Sequence, residues 1–403
     1  MALLSDRLTA AGREIANRIV LQPMEGCDCE EDGSPSGLTV AKYLSAAASG
    51  AGVIWCEATA VCPEGRTNRR QMFLTEENIA SYSKMLEDMH EKALAECGVR
   101  SLIFLQLTHS GRQSIVPMIA YRNSVYEARR PMTDDNIVTD EYLDTVPDMY
   151  ARTAVLAEKA GFDGVDVKSC HAYLMPELMS AYNRPGRYGG SFENRSRLYL
   201  DCVRAVKAAV SGGTLLTARF GVSDMVPKPN GFGTTEEGEL DLTESDMIIG
   251  ELVKEGVSIL NVTVGNPYYN PHVNRPFRKG AYTPPEKPEA GIERFEYIER
   301  HIKKLFPDLP LVASGLSYHR ADLMDYSEKL LHGGLCDLVG YGRMWLAYPM
   351  FWRDHLAGRF DAKKCCAACS RCTELMRAGC VSGCAVFNDY YKELYREKIQ
   401  CVK

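Results

Sequence analysis

The sequence predicts a parallel (β/α)8 barrel, a TIM barrel, carrying a short Cys-rich C-terminal extension. Two observations lead there. Short apolar runs rich in β-branched residues recur eight times, and each is followed by a longer stretch with helical spacing and charged positions. Eight strand–helix units whose strands are mostly buried close into a barrel rather than an open sheet. The barrel is expected to fill residues 1–360, with residues 361–403 as a cluster-binding tail packed on it.

The eight runs are "RIVLQPM" (18–24), "GVIWCEATAV" (52–61), "SLIFLQL" (101–107), "GVDVK" (164–168), "LLTARF" (215–220), "SILNVTV" (258–264), "LPLVASG" (309–315) and "CDLVGYGR" (336–343). Between them lie amphipathic segments such as 147–162, where Tyr150, Ala154, Leu156 and Ala157 share one helical face. Barrels of this kind carry their functional residues at the C-terminal ends of strands and in the loops that follow. Three long loops after strands three, five and six, residues 108–135, 227–238 and 265–288, are suited to covering a site there.

Composition narrows the function classes. The chain has 403 residues, 45% hydrophobic and 25% charged, enough for a large core without disulfide staples. Its net charge of −6 leaves no basic surplus for a nucleic-acid backbone. Asp6, Arg7, Arg13 and Glu14 interrupt the N-terminal stretch where a secretory signal would be apolar, and no run approaches a membrane span. These features point to a cytoplasmic protein with neither nucleic-acid nor membrane partners. In a reducing compartment, clustered cysteines bind metal or do redox chemistry more often than they form disulfides.

At the fourth strand end the sequence reads "GFDGVDVKSCHAYLMPELMSAYNRPGRYGGSFENRSR" (161–197), which places Lys168, His171 and Tyr173 at the barrel mouth. This segment, with its YGGSxENRxR ending at Tyr188 to Arg197, resembles the flavin-dependent Old Yellow Enzyme family. "NRIVLQPM", "EATAVCPEGR", "QLTHSGRQ", "TARF", "VASG" and "VGYGRMWLAYP" resemble family strand ends in the same order, over roughly residues 5 to 385.

The resemblance implies FMN, with NAD(P)H as an electron donor. Arg343 would pair with the phosphate, which Ser314, Gly315 and Gly342 would cradle in the loops after strands seven and eight. Arg219 would face the ring edge that becomes anionic on reduction, and Gln106 its pyrimidine edge. Pro23, Met24 and Ala58 would lie against the ring, with Glu25 where relatives often carry Thr or Cys. The competing reading makes Gln106 and Arg219 interior polar groups satisfied by their neighbours.

The family tyrosine that protonates substrate carbon matches Tyr173, whose phenol stays protonated at neutral pH; the alternative is a packing aromatic. The family usually holds the substrate carbonyl with a His and then a His or Asn three residues on. This chain keeps His171 but has Lys168 in the first place, a stronger sink for a developing enolate and a group that binds a carboxylate equally well. Lys168 is alternatively a structural partner of Asp166, Glu193 or Glu25.

Cys366, Cys369 and Cys372 have C-x-x-C-x-x-C spacing, and Cys384 follows after eleven residues. Three clustered thiolates plus a distant fourth suit a [4Fe–4S] cluster; a tetrahedral zinc site or free thiols are the competitors. Cys365 and Cys380 are second-choice ligands. The spacing resembles the iron–sulfur branch of the family, 2,4-dienoyl-CoA reductase and trimethylamine dehydrogenase, and a separate reductase or ferredoxin becomes a candidate electron donor. The expected function is an ene-reductase acting on an unsaturated carbonyl compound. An amine dehydrogenase or demethylase-type flavoenzyme and a non-catalytic flavin/iron–sulfur carrier are the alternatives. A homo-oligomer is compatible with the sequence.

Overall fold

The computed structural model describes residues 3–278 and 282–401. The chain begins with a small antiparallel hairpin, β1 (Leu8–Ala10) and β2 (Arg13–Ile15). Its two turn residues, Ala11 and Gly12, both have positive φ (45° and 76°), the twist that tight two-residue hairpins demand. The eight barrel strands follow: β3 (Ile19–Leu21), β4 (Val53–Ala60), β5 (Leu102–Thr108), β6 (Gly164–Val167), β7 (Leu215–Gly221), β8 (Ile259–Thr263), β9 (Leu311–Ala313) and β10 (Leu338–Tyr341). Each falls on one predicted run, with ends that differ by at most three residues. All pair in parallel with their sequence neighbours, and β10 closes on β3 with Val339 opposite Ile19. Among the described residues no helix is long and apolar enough to cross a membrane.

The barrel interior is divided into an apolar floor and a polar top. At the floor, Val20, Val53, Trp55, Phe104, Leu215, Ile259, Val312 and Leu338 form one cluster with Ala10 and Ile15 of the hairpin, which plugs the lower end. Toward the C-terminal strand ends the buried residues turn polar: Gln22, Gln106, Asp166, Lys168 and Asn261 are all under 5% exposed. Burying polar atoms is costly unless they are hydrogen-bonded. Asp166 is accordingly held by Trp55 Nε1 at 2.9 Å, Gln106 Nε2 at 2.6 Å and the Arg219 backbone N–H at 2.5 Å.

The loop after β3 is seated on a buried ion cluster. Lys42 Nζ lies between Asp28 and Glu57, at 2.9 Å from Asp28 Oδ2, and all three side chains are nearly inaccessible. Burial alone would lower the Lys42 ammonium, yet Glu57 and Asp28 hold it above its ordinary value. Glu57 Oε2 also accepts from the backbone N–H of Gly26 at 2.7 Å. A Cβ at Gly26 would fall 2.3 Å from both Asp28 Oδ2 and Lys42 Nζ, so only glycine lets the loop lie this close.

Beyond the barrel, short helices at Arg371–Arg377 and Asp389–Tyr395 pack around Leu375, Ala385, Tyr391 and Tyr395. This tail touches the barrel mouth: Ser382 N donates to the Gly26 carbonyl at 2.6 Å, and Arg275 Nη1 donates to Thr373 Oγ1 at 3.2 Å. Replacing Lys42 by Met would leave two buried carboxylates without their cation. A loss of about 3–5 kcal/mol of stability is expected, checked by thermal and urea unfolding of Lys42→Met against the parent.

Candidate active site

The polar top opens into a cleft of about 1180 Å3, its mouth included. Every barrel residue marked from the sequence reaches its wall: Pro23, Met24 and Glu25 after β3, Ala58 on β4, Gln106 on β5, and Lys168, His171 and Tyr173 after β6. Arg219 on β7, Ser314 and Gly315 after β9, and Gly342 and Arg343 after β10 complete the set.

The turn after β6 aims the side chains that bear proton chemistry. His171 and Ala172 both adopt left-handed backbone conformations, with φ of 70° and 53°. Such residues are strained and cluster at functional sites; here they reverse the chain so that His171 and Tyr173 both face the cleft. The Tyr173 hydroxyl donates to Glu25 Oε1 at 2.8 Å. Lys168 Nζ stands 3.8 Å from the Tyr173 ring centroid and 4.0 Å from Glu25 Oε1. Burial, reinforced by Glu25, raises the Tyr173 phenol well above its ordinary value. Burial, with Arg219 and Lys168 nearby, pushes His171 well below its ordinary value, so the ring is neutral at pH 7. Burial also lowers Lys168, opposed by Glu25.

Of the structural partners considered for Lys168, Asp166 is excluded because its carboxylate is committed to Trp55, Gln106 and Arg219. Glu193 is excluded because it sits on the exposed first turn of the Phe192–Ala209 helix. Glu25 is the carboxylate that approaches it.

Unsatisfied donors mark where an anion fits. Arg219 Nε and Arg343 Nη1 are buried without a hydrogen-bond partner, as is Nε of Arg275 on the loop after β8. Buried donors left without a partner are costly, and each of these three side chains lines the cleft. Around them the backbone comes close: a Cβ at Gly340 would fall 2.0 Å from Gln22 Nε2, and one at Gly342 would fall 3.2 Å from Met24 Sδ. Cationic donors beside bare backbone suit the phosphate and ring edge of a flavin mononucleotide, and the residues present fit that group.

A second cavity, about 330 Å3, adjoins the cleft and is lined by Cys366, Cys369, Cys372 and Cys384 together with Arg343, Leu346 and Val386. Ala368 and Ser370, both at positive φ, turn the loop between its cysteines, and Ala368 N donates to Cys366 Sγ at 3.4 Å. Cys365 points instead at the Arg320 carbonyl and Cys380 at the Ala378 carbonyl, so neither second-choice thiol lines the cavity. Among the described residues no three His, Cys, Asp or Glu side chains close on a single metal ion. Cys372 and Arg343 line both cavities and form the wall between them.

Only one of the three loops expected to cover the site does so. Pro267, Tyr268, Asn274 and Arg275 of the 265–288 loop line the cleft. Loops 108–135 and 227–238 pack against one another outside it, through Asn123 Nδ2 to the Asn230 carbonyl at 2.8 Å. Sequence reasoning missed Arg275, Tyr268 and Gln22, and it missed that Thr373, Met376 and Arg377 of the tail wall the cleft. The Pro/Asn-rich pattern around Arg275 signalled a loop but not the direction of that side chain.

Fold and site together define a class: an oxidoreductase barrel built to hold a flavin at its C-terminal face. The profile of the NADH:flavin oxidoreductase / NADH oxidase family matches residues 8–360, and the chain belongs to that family. An NADH oxidase from Thermoanaerobacter brockii is 28% identical over 377 residues, 92% of this chain and 52% of the relative, so the chain spans about half of that longer protein. An NADPH dehydrogenase from Bacillus pumilus is 29% identical over 350 residues, covering 85% of this chain and 91% of the relative. Among solved structures, a 2-naphthoyl-CoA reductase in complex with 2-naphthoyl-CoA has a similar fold, with a TM-score of 0.78 at 18% identity, covering 97% of this chain and 58% of that one.

Removing the buried Arg343 guanidinium is expected to weaken FMN binding roughly 100-fold, since it would delete a charge-assisted contact to the phosphate. Flavin fluorescence titration of Arg343→Ala against the parent checks this.

Proposed function

We propose that the protein is an FMN-dependent ene-reductase that reduces a carbon–carbon double bond conjugated to a carbonyl group. The observation that carries the reading is the Tyr173 hydroxyl at the cleft wall, hydrogen-bonded to Glu25 at 2.8 Å and flanked by Lys168 and His171. Bound FMN supplies the electron pair, drawn from NAD(P)H or delivered through the thiolate site. The chain's own residues do the remaining work. Neutral His171 and the Lys168 ammonium bind the carbonyl oxygen and stabilise the charge that develops there. Tyr173, its phenol held protonated by burial, gives its proton to the substrate carbon next to the carbonyl. Glu25 accepts the phenol hydrogen bond in the resting site and fixes the direction of the O–H. The nearby ammonium offsets the charge left on the tyrosine.

The proposal extends to a [4Fe–4S] cluster on Cys366, Cys369, Cys372 and Cys384. What supports it is a void lined by four cysteines that do not converge on one ion; a cube needs such a void, whereas zinc thiolates close to about 2.3 Å from a single centre. A cluster behind the Cys372–Arg343 wall makes a one-electron donor, a separate reductase or ferredoxin, an alternative to NAD(P)H.

Two experiments test the reading. Tyr173→Phe is expected to lose at least roughly 100-fold in alkene reduction with its FMN content intact; full alkene reduction by this variant would overturn the assignment. Protein purified without oxygen is expected to carry about four iron and four acid-labile sulfide per chain beside its flavin bands. Cys372→Ser would lose the iron and Cys380→Ala would keep it, whereas zinc in the parent would refute the cluster.

A further inference from the structure

The loop after β9 has two sides. Ser314, Gly315 and Leu316 line the cleft, and the same three residues line a small cavity behind the loop, about 210 Å3. Phe295 and Glu299 of the Pro288–Leu305 helix wall that cavity, together with His319 and Tyr326. The packing is tight: Gly315 has a φ of 83°, and a Cβ there would fall 2.7 Å from Phe295 Cε2. Only glycine lets the loop rest this closely on the helix.

Glu299 is 1% exposed, and its Oε1 accepts from the Ser314 backbone N–H at 3.3 Å. The titratable groups that face it bring no free cation. Glu296, one turn earlier on the same helix, is an anion that takes Lys329 at 3.3 Å and the Tyr326 hydroxyl at 2.7 Å. Burial pushes His319 below its ordinary value, which leaves it neutral at pH 7. Burial, with Glu299 beside it, pushes the Cys336 thiol well up. Burial raises the Glu299 carboxyl to about 8, opposed by the Ser314 N–H and assisted by Glu296. A carboxyl with a backbone donor and no cation is held as the uncharged acid at neutral pH. His319 Nε2, buried without a hydrogen-bond partner, puts an acceptor for the acid on the same cavity in one neutral tautomer.

We infer that Glu299 is a positioning residue for the flavin phosphate: as an uncharged acid it anchors the 314–316 loop from behind, and as an anion it opposes the phosphate across that loop, so that FMN binding is tied to proton uptake. The inference rests on the reading that places the phosphate at Ser314, Gly315 and Arg343, and it is independent of the reaction catalysed. Anchoring needs only an acceptor oxygen for the Ser314 N–H, which the acid supplies without a charge. A phosphate monoester is already a dianion above about pH 7, and a second anion behind its loop repels it through protein rather than through water. The ionised free protein plus FMN plus a proton gives the complex with Glu299 neutral. The complex holds that proton more firmly than the free protein does, so FMN affinity is full below about 8 and falls as the pH rises through it.

The test dilutes the full chain loaded with FMN at about pH 7 and about pH 9 and reads flavin release by fluorescence. The FMN dissociation constant of the parent is expected to rise roughly 10-fold between the two, and calorimetric addition of FMN at the higher pH to show proton uptake. Glu299→Gln keeps an acceptor for the Ser314 N–H and cannot ionise, so it is expected to bind FMN at both pH values as tightly as the parent does at the lower one. Glu299→Ala removes the anchor and is expected to bind more weakly at both, a loss that the Gln variant rescues. A parent dissociation constant that does not change with pH, or the same pH dependence in Glu299→Gln, would overturn the inference. Should the Gln variant not fold, FMN binding by the parent without proton uptake would overturn it equally. Undiminished FMN affinity in Arg343→Ala would instead overturn the placement of the phosphate on which it rests.

Discussion

Positive charge placed out of water is the constraint around which this molecule is arranged. A closed parallel barrel excludes solvent from its interior, yet this one sends Lys168 and Arg219 into the top of that interior, with Arg343 and Arg275 at the rim. Three of the four, Arg219, Arg343 and Arg275, carry a buried donor without a hydrogen-bond partner, and the fourth, Lys168, has Glu25 at 4.0 Å. Asp166 is buried beside them but is spent on orienting Gln106 and the β7 backbone rather than on neutralising a cation. Burial raises its carboxyl to about 6, against hydrogen bonds that lower it, so it stays ionised at neutral pH. The surplus of cations over carboxylates along the described cleft lining gives it a positive potential, which favours anionic groups.

The loop after β3 joins this charged top to the tail. Glu25 accepts from Tyr173, and the next residue, Gly26, is held from below by Glu57 and from above by the Ser382 N–H. Ser382 Oγ in turn donates to the Cys372 carbonyl at 2.8 Å. A short run of backbone thus connects the proton-bearing tyrosine, the buried Asp28–Lys42–Glu57 cluster and the cysteine loop. The tail is consequently a wall of the cleft as well as a container for cysteines, and Cys372 and Arg343 separate the two cavities by a single layer of side chains.

Particular elements show what could be read in advance. The barrel strands were legible because each is a short apolar run buried on both faces, and burial on both faces removes the alternation that would otherwise disguise a strand. The β1–β2 hairpin was not, because its strands each bury a single residue and carry no apolar run. Tyr173, His171 and Lys168 were legible because residues just past a barrel strand must stand at the mouth. Arg275 was not: it lies twelve positions beyond the end of β8 at Thr263, just past the short helix Pro271–Asn274, and no periodicity records where its side chain points.

By itself the sequence determined the eight-strand order, the strand-end positions from Pro23 to Arg343 and the cysteine spacing, since all three depend on local pattern and chain order. Only the tertiary structure decided which charges go unpaired. Asp166 and Lys168 are two residues apart on the same face, but they sit at different depths: Asp166 meets Trp55 and Gln106 within the barrel, and Lys168, just past the strand end, meets Tyr173 and Glu25 in the cleft. The same holds for the cysteines, where Cys365 and Cys366 are adjacent and only the second reaches the cavity. Pairing and exclusion of this kind are properties of three-dimensional distance, which chain order bounds but does not set.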